Sequence, residues 1–248
     1  ATTLEAGVTY IVGVYLDEDD AEELSRPLTV NVNALVHKHN IKTMNVVATK
    51  EDFGYTAKYC TYCTLDDESM QTYFPYETVK LSKTSYTYDG KEKKPGVTVT
   101  DVLDQPISKS EYTVTYPKSA KNVGKYTVTI KFKNHYAGTE KRTFTINPKG
   151  TSLSKVTSPK KAQLKVTWKK QATQTTGYQV QYSTSSKFKK AKTVTISKNK
   201  TTSKSVSKLS AKKKYYVRVR TYKTVKIGGK SVKLYSGWSK AKSVTTKK

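Results

Sequence analysis

The sequence is poor in the residues that build metal, redox and membrane-spanning sites. Its 248 residues include only two cysteines, two methionines and three histidines, which excludes a large metal or redox centre. It has no run of about 18 apolar residues, so we predict no membrane span. Hydrophobic residues make up 35% of the chain, below the usual share of about 45–50%. Because 19 tyrosines argue against disorder, we expect small domains with thin cores.

Acidic residues are absent from the last 98 residues, which carry 27 lysines and arginines. Residues 1–79 have a net charge of −8 and residues 80–150 a net charge of +8, so the total of +27 hides a gradient. A block of one sign repels itself and favours a polyanionic partner, such as nucleic acid, an acidic cell-wall polymer or an acidic glycan. Such binding would weaken steeply with salt. A solvated basic surface with no dedicated partner is the alternative.

Hydrophobic side chains alternate with polar ones at a period of two, which predicts antiparallel strands. The clearest case is Val128, Ile130 and Phe132, and Leu164, Val166 and Trp168 repeat it. No segment shows convincing helical periodicity. We therefore predict an all-β chain of tandem small β-sandwiches preceded by a small irregular β unit. The expected boundaries are a strand tail of an upstream module at 1–36, a Cys/His unit at 37–78, and sandwiches at 79–148 and 149–248.

The expected strands of the first two segments lie at 9–16, 28–35, 42–49 and 55–59. The first ten residues contain neither a start methionine nor a signal peptide. We therefore expect the chain to be a piece of a longer protein.

Four soft metal ligands fall within the small second unit. His37 and His39 are two residues apart, so on a strand both side chains point the same way. Cys60 and Cys63 have the Cys-x-x-Cys spacing of a metal knuckle. The set predicts a possible structural zinc site that would stabilise a unit too small to hold itself. A Cys60–Cys63 disulfide and two free thiols are the alternatives.

One face of the last domain combines aromatic, cationic and amide side chains. If Tyr215, Val217 and Val219 point inward, the alternate residues of that strand and of its neighbour point outward. Such side chains suit stacking on sugar rings or bases and pairing with anions, and Trp238 is expected to stack on one of the arginines. An ordinary solvated sheet face is the alternative. The candidate ligand-binding residues are Gln179, Gln181, Tyr216, Arg218, Arg220 and Tyr222.

Catalytic constellations are missing. The basic domain has no carboxylate pair for glycoside hydrolysis, and no Gly-x-Ser-x-Gly elbow occurs. The one further histidine, His135, lies in a predicted turn. We therefore predict that the chain is not an enzyme and has no catalytic residues.

Residues 151–248 resemble a fibronectin type III domain. The resemblance is carried by Trp168, by the strand GYQVQYS at 177–183, by the spacing from Leu209 to Tyr215, and by Ser236-Gly-Trp238-Ser239. It implies that Tyr215 makes a corner hydrogen bond and that the valines after it enter the core. Residues 79–148 resemble bacterial immunoglobulin-like repeats through 82-SKTSYTYDGK-91, 112-YTVTY-116, 122-NVGKY-126 and 144-FTI-146.

The pair of modules resembles parts of large cell-surface or secreted proteins of Gram-positive gut Clostridia. The resemblance implies a non-catalytic stalk or adhesion module of an exported protein, located extracellularly at the bacterial surface. We expect its basic domain to associate with anionic envelope polymers or acidic glycans, with no specific nucleic acid and as a monomer. An alternative is the accessory tail of a secreted enzyme whose catalytic domain lies upstream. A weaker third possibility is an extracellular nucleic-acid binder.

Overall fold

The computed structural model describes residues 40–61 and 70–248, and these residues are all-β. The chain divides into two compact units, Ala1–Pro75 and Tyr76–Lys248. Within the described ranges, no helix is long and apolar enough to cross a membrane. The strands expected at 9–16 and 28–35 lie outside the described residues.

The described part of the first unit is a three-stranded antiparallel sheet. It contains β1 (Ile41–Val46), β2 (Gly54–Cys60) and β3 (Gln71–Tyr73), in the order β1-β2-β3. The sequence predicted the first two of these strands. Their register pairs Ile41 with Cys60 and Val46 with Tyr55. Every residue of β1 is exposed, whereas Gly54 and Cys60 at the two ends of β2 are buried.

The second unit begins with a sandwich of two sheets. Strands β4 (Tyr76–Leu81) and β6 (Val97–Asp101) form one sheet. The other has the order β5-β9-β8-β7 and consists of β5 (Ser85–Thr87), β7 (Tyr112–Thr115), β8 (Gly124–Phe132) and β9 (Thr139–Asn147). A short 3₁₀ turn at Lys109–Glu111 precedes β7.

The core of this first sandwich follows from the alternation in β8. Val128, Ile130 and Phe132 are buried, and Tyr76 from the opposite sheet stacks on Phe132 with ring centroids 4.0 Å apart. The side chains of Lys125 and Lys131 point to the other face and are exposed. The period-two pattern thus places one residue set in the core, as the sequence predicted.

A second sandwich follows from Leu153. Its smaller sheet has the order β10-β11-β14, with β10 (Leu153–Thr157), β11 (Leu164–Trp168) and β14 (Ser203–Val206). Its larger sheet contains β12 (Gly177–Ser183), β13 (Lys192–Ile196), β15 (Lys214–Ile227), β16 (Lys230–Tyr235) and β17 (Lys242–Thr245). The core joins both sheets and includes Leu164, Val166, Trp168, Tyr178, Val180, Val217 and Val219.

Strand β15 is 14 residues long and changes partner along its length. Its first residues pair with β17, and Tyr222–Ile227 pair with β16. The β15–β16 hairpin turns at Gly228 and Gly229, whose φ angles are 56° and 78°. Two successive positive φ angles are what the preferred two-residue hairpin turn requires, and glycine meets that requirement without strain.

Hydrogen bonds connect the second sandwich to the linker and to the first sandwich. The buried hydroxyl of Thr221 donates to the carbonyl oxygen of Lys149 in the linker at 2.7 Å. The amide nitrogen of Gln174 donates to Oδ1 of Asn122 at 3.2 Å, and its Oε1 accepts from the N–H of Val123 at 3.4 Å. The linker is therefore fixed to the second sandwich, and a loop of that sandwich is tied to the first.

Candidate functional site

The strand register aligns the arginines and glutamines on the outer face of the second sandwich. Gln179 lies opposite Arg220, and Gln181 lies opposite Arg218. Arg218 Nε donates to Gln181 Oε1 at 2.7 Å. Arg220 donates to Gln179 Oε1 through both Nε and Nη2, at 2.9 and 2.7 Å. The structure therefore brings these four predicted residues together.

Each glutamine also binds the strand on its other side. The amide nitrogen of Gln179 donates to Thr195 Oγ1, and that of Gln181 donates to Thr193 Oγ1, both at 3.2 Å. Two Arg–Gln–Thr rows thus cross β15, β12 and β13. Because both ends of each amide already have partners, the glutamines hold the sheet together and fix the arginines.

Aromatic rings enclose the two guanidinium groups. Arg218 Cζ lies 4.0 Å from the centroid of Phe188 and 4.7 Å from that of Trp238. Arg220 Cζ lies 3.9 Å from Tyr235 and 4.3 Å from Trp238. Trp238 therefore stacks on both arginines, where the sequence predicted one of them. We refer to Arg218, Arg220, Phe188, Tyr235 and Trp238 together as the arginine stack. Such cation–π contacts are attractive because the ring face carries negative charge.

Two serine hydroxyls hold the segment that carries Trp238. Ser236 Oγ accepts from the backbone N–H of Thr221 at 3.0 Å, and Ser239 Oγ accepts from that of Val219 at 3.1 Å. The backbone N–H groups of both serines donate in return to the carbonyl oxygens of Thr221 and Val219. Side chains thus continue the hydrogen bonding of β15 between its pairings with β16 and β17.

A corner hydrogen bond is present on the opposite side of β15. Tyr215 is buried, and its hydroxyl accepts from the backbone N–H of Ser210 at 3.1 Å. Val217 and Val219 follow it into the core with no exposed surface. The bond and the two core positions are those that the resemblance implied.

Residues 147–236 match the family model described as "Fibronectin type III domain". A fibronectin type III domain is present in the chain. No curated protein sequence matches the chain.

Two solved structures are similar to the chain at low sequence identity. The FN1–FN3 domains of chicken CNTN1 are 14% identical, with 79% of this chain and 78% of that chain covered and a TM-score of 0.36. Three consecutive domains of titin are 14% identical, with 79% of this chain and 75% of that chain covered and a TM-score of 0.29.

Burial changes the electrostatics of the arginines in the fibronectin type III domain. Desolvation lowers the pKa of Arg218, and it is also the main cause that lowers the pKa of Arg220. The neighbouring charge of Arg218 lowers the pKa of Arg220 further, whereas Tyr235 raises it. Guanidinium groups in proteins nevertheless stay protonated, so both arginines keep their charge inside the stack.

The two predicted tyrosines differ in accessibility. Tyr216 is half-buried, with Lys214 Nζ 5.6 Å from its ring centroid. The expectation that Tyr222 offers an accessible outward ring is wrong, because Tyr222 is 2% exposed. It packs beside Tyr235, with Lys233 Nζ over its ring, and Gly177 leaves the space that its edge occupies.

Phe188 and Tyr235 belong to the stack and were missed by the sequence reasoning. Tyr235 ends β16, a strand that the sequence analysis did not predict. The signal that could have found it is the Gly228-Gly229 pair, which is typical of a hairpin turn. Phe188 is the one apolar residue within the lysine cluster 187–190, and that isolation was its signal.

Only one of the four predicted zinc ligands lies within the described residues. His37, His39 and Cys63 lie outside the described residues, and Cys60 is buried at the end of β2. Residues 40–61 and 70–248 contain no group of three or more His, Cys, Asp or Glu side chains that could hold a metal ion. The zinc site at His37, His39, Cys60 and Cys63 therefore remains a prediction.

Proposed function

We propose that the chain is a non-catalytic stalk or adhesion module of an exported bacterial cell-surface protein. Its fibronectin type III domain would associate with anionic envelope polymers or acidic glycans through its cationic surface. Fibronectin type III domains are generally non-catalytic, which supports the first part of this proposal.

The observation that carries the proposal is uncompensated charge. Residues 151–248 have 27 cationic side chains and no carboxylate side chain, so no internal ion pair with Asp or Glu can form. The first sandwich differs, because Asp89, Glu111 and Glu140 pair there with Lys93, His135 and Arg142. A domain with this charge pattern attracts polyanions, which release counterions when they bind.

The geometry of the arginine stack indicates which cationic side chains are accessible to an anionic ligand. Arg218 and Arg220 are enclosed by rings and bonded to glutamines. The lysines of the loops are exposed instead, among them Lys187, Lys189 and Lys213. Ammonium groups on flexible stems can follow a polymer without fixed geometry. We therefore assign polyanion attraction to the exposed lysines and a stabilising role to the stack.

The test measures binding of the full chain to purified Gram-positive cell wall, with DNA and a neutral glycan as comparisons. Salt is varied from about 50 to about 200 mM, because the electrostatic part of binding falls steeply across this range. We expect saturable wall binding that persists at the higher salt after DNA binding is lost.

A matched pair of variants locates the binding surface. Lys187→Glu, Lys189→Glu and Lys213→Glu together should weaken wall binding at least about tenfold, because they reverse charge on exposed loops. The control carries Lys118→Glu, Lys121→Glu and Lys141→Glu, exposed positions of the first sandwich with the same change in net charge. The proposal would be contradicted if both variants lost wall affinity equally, or if salt weakened the binding of the cell wall and of DNA equally.

A further inference from the structure

We infer that the cleft between the two sandwiches of the second unit is a binding site for an acidic saccharide, a pyranose that bears a carboxylate. This inference rests on the proposed association with acidic glycans and gives it a defined site. The cleft has a volume of about 940 Å³. That value lies within the range of about 300–1,000 Å³ for small-molecule sites, so it suits a short oligosaccharide better than a single ion.

Three lysines reach the cleft from three different segments. Lys83 precedes β5, Lys93 lies in the loop after it, and Lys149 belongs to the linker. Lys93 is paired with Asp89 at 2.6 Å. Among the described residues, neither Lys83 nor Lys149 lies within ion-pair distance of a carboxylate. The cleft therefore presents two uncompensated ammonium groups to an anionic ligand.

The carboxylate of Asp89 suits the hydroxyl groups of a sugar. Hydrogen bonds from the Lys93 ammonium and, secondly, from the backbone N–H of Lys91 lower the pKa of Asp89, so it is ionised at neutral pH. Its carboxylate can accept hydrogen bonds from the hydroxyl groups of a sugar ring, while the carboxylate of that ring contacts the lysines.

Two tyrosines line the cleft and can offer apolar contact to a pyranose. Tyr86 is half-buried and packs edge-on against the core residue Phe144, with ring centroids 5.7 Å apart. Lys83 Nζ and Lys93 Nζ lie 5.1 and 5.8 Å from the Tyr86 centroid. Tyr88 follows on the same segment and also lines the cleft. Ring and ammonium groups are therefore close enough to contact one sugar unit together.

The walls of the cleft are held in place by buried groups. The hydroxyl of Tyr178, which is fully buried, accepts from the backbone N–H of Gln171 at 2.9 Å and lies 3.1 Å from its carbonyl oxygen. The hydroxyl of Thr221 fixes the carbonyl of Lys149 at 2.7 Å. On the other wall, the N–H of Tyr88 donates to the carbonyl of Asn147 at 2.8 Å. Preorganised walls reduce the ordering cost of binding.

The experiment uses the full chain and isothermal titration calorimetry. The probe is a tetrasaccharide of galacturonate, and the comparison is a neutral tetrasaccharide of galactose. The test variant Lys83→Gln with Lys149→Gln removes both uncompensated charges. The control variant Lys204→Gln with Lys230→Gln makes the same change in net charge at exposed positions of β14 and β16. A third variant, Thr173→Trp, obstructs the cleft at an exposed lining residue without a change in charge.

We expect the wild type to bind the galacturonate probe at physiological salt and to bind the neutral probe at least about tenfold more weakly, because the neutral probe forms no charged hydrogen bonds with the lysines. The test double variant should lose at least about tenfold in affinity and Thr173→Trp should abolish binding, whereas the control should change less than about twofold. Equal losses in test and control, equal binding of both probes, or no effect of Thr173→Trp would overturn the inference.

The result is separable from the test of the proposed function. If wall binding depends on Lys187, Lys189 and Lys213 and the tetrasaccharide does not bind, the inference that the cleft is a saccharide site is overturned. The proposed function is then still supported. If the chain does not bind the cell wall but binds the tetrasaccharide, and Thr173→Trp abolishes that binding, the cleft is a saccharide site and the proposed association with the wall is contradicted.

Discussion

Trp238 contributes to stability through contacts on both of its sides rather than through deep burial. Its ring centroid lies within 4.7 Å of one guanidinium carbon and 4.3 Å of the other, and the ring is half-buried. We expect Trp238→Ala to lower the free energy of unfolding by about 2 kcal/mol, since each cation–π contact contributes about 0.5–2 kcal/mol. Urea denaturation followed by far-UV circular dichroism measures the change.

Tyr216→Ala is the control for this substitution, because Tyr216 is half-buried on the same face but lies outside the stack. Its loss should stay below about 1 kcal/mol. Similar losses in the two variants would show that the stack contributes no more than an ordinary aromatic residue of the sheet.

The position of Gly177 leaves no room for a side chain. A Cβ at this position would overlap the carbonyl oxygen of Ile196 and lie 3.0 Å from the ring of Tyr222. We expect Gly177→Ala to destabilise the chain by about 1–3 kcal/mol, as overpacking does, or by more because the overlapped atom belongs to the backbone. Thermal unfolding of the full chain provides the measurement.

Gly237→Ala is the matched substitution, because a Cβ there would meet nothing within 4 Å and its φ angle is not positive. We expect it to change stability by less than about 0.5 kcal/mol. If Gly177→Ala left the stability unchanged, β12 and β13 would be able to separate locally without a loss of stability, contrary to the close contact between Gly177 and Ile196.

At the scale of the elements, β15 organises the fibronectin type III domain because it pairs with β12, β16 and β17. Alternation correctly predicted its inward valines and its outward arginines. The change of partner along β15 was not predictable, because it depends on a serine-containing segment that follows β16 in the chain. Hydrogen bonds from Ser236 and Ser239 replace strand pairing at that point.

Ser236→Ala tests this replacement. The variant leaves the backbone N–H of Thr221 without its acceptor in a buried position. A buried donor without a partner costs about 1–3 kcal/mol, and we expect a loss of that size in urea denaturation. Ser205→Ala at an exposed position of β14 is the control and should cost less than about 0.5 kcal/mol. Losses of stability of nearly equal size in the two variants would contradict the role of Ser236 as a hydrogen-bond acceptor for β15.

At the scale of the whole molecule, charge distinguishes the two sandwiches of the second unit. Residues 151–248 contain no Asp, Glu or His, and they contain both tryptophans of the chain. The segment therefore contains no side chain of a type whose ordinary pKa lies between about 3 and 8. Stability varies with pH only where the folded and unfolded states bind different numbers of protons. We expect the urea midpoint followed by tryptophan fluorescence to stay constant across that range.

The first sandwich should respond to acid in the direction that Asp89 sets. Lys93 lowers the pKa of Asp89 in the folded state, so its stabilising contribution is present above its unfolded pKa of about 3.9 and is lost as pH falls through the lower folded value. Far-UV circular dichroism reports the unfolding of both sandwiches, whereas tryptophan fluorescence reports only the second. We therefore expect the urea midpoint measured by circular dichroism to fall below the fluorescence midpoint in acid. A tryptophan midpoint that falls on acidification to pH 3 would contradict the expectation that the stability of the second sandwich does not depend on acid.

The sequence by itself determined which residues of each strand face the core and where the charge lies. Alternation is a local property, so Val128, Ile130 and Val219 could be placed without knowledge of any partner strand. The tertiary structure decided what covers the outer faces. Tyr222 is enclosed and Phe188 completes a stack because segments distant in the chain fold against them. The cleft likewise exists only where linker and loops of two sandwiches meet, and no local pattern encodes that meeting.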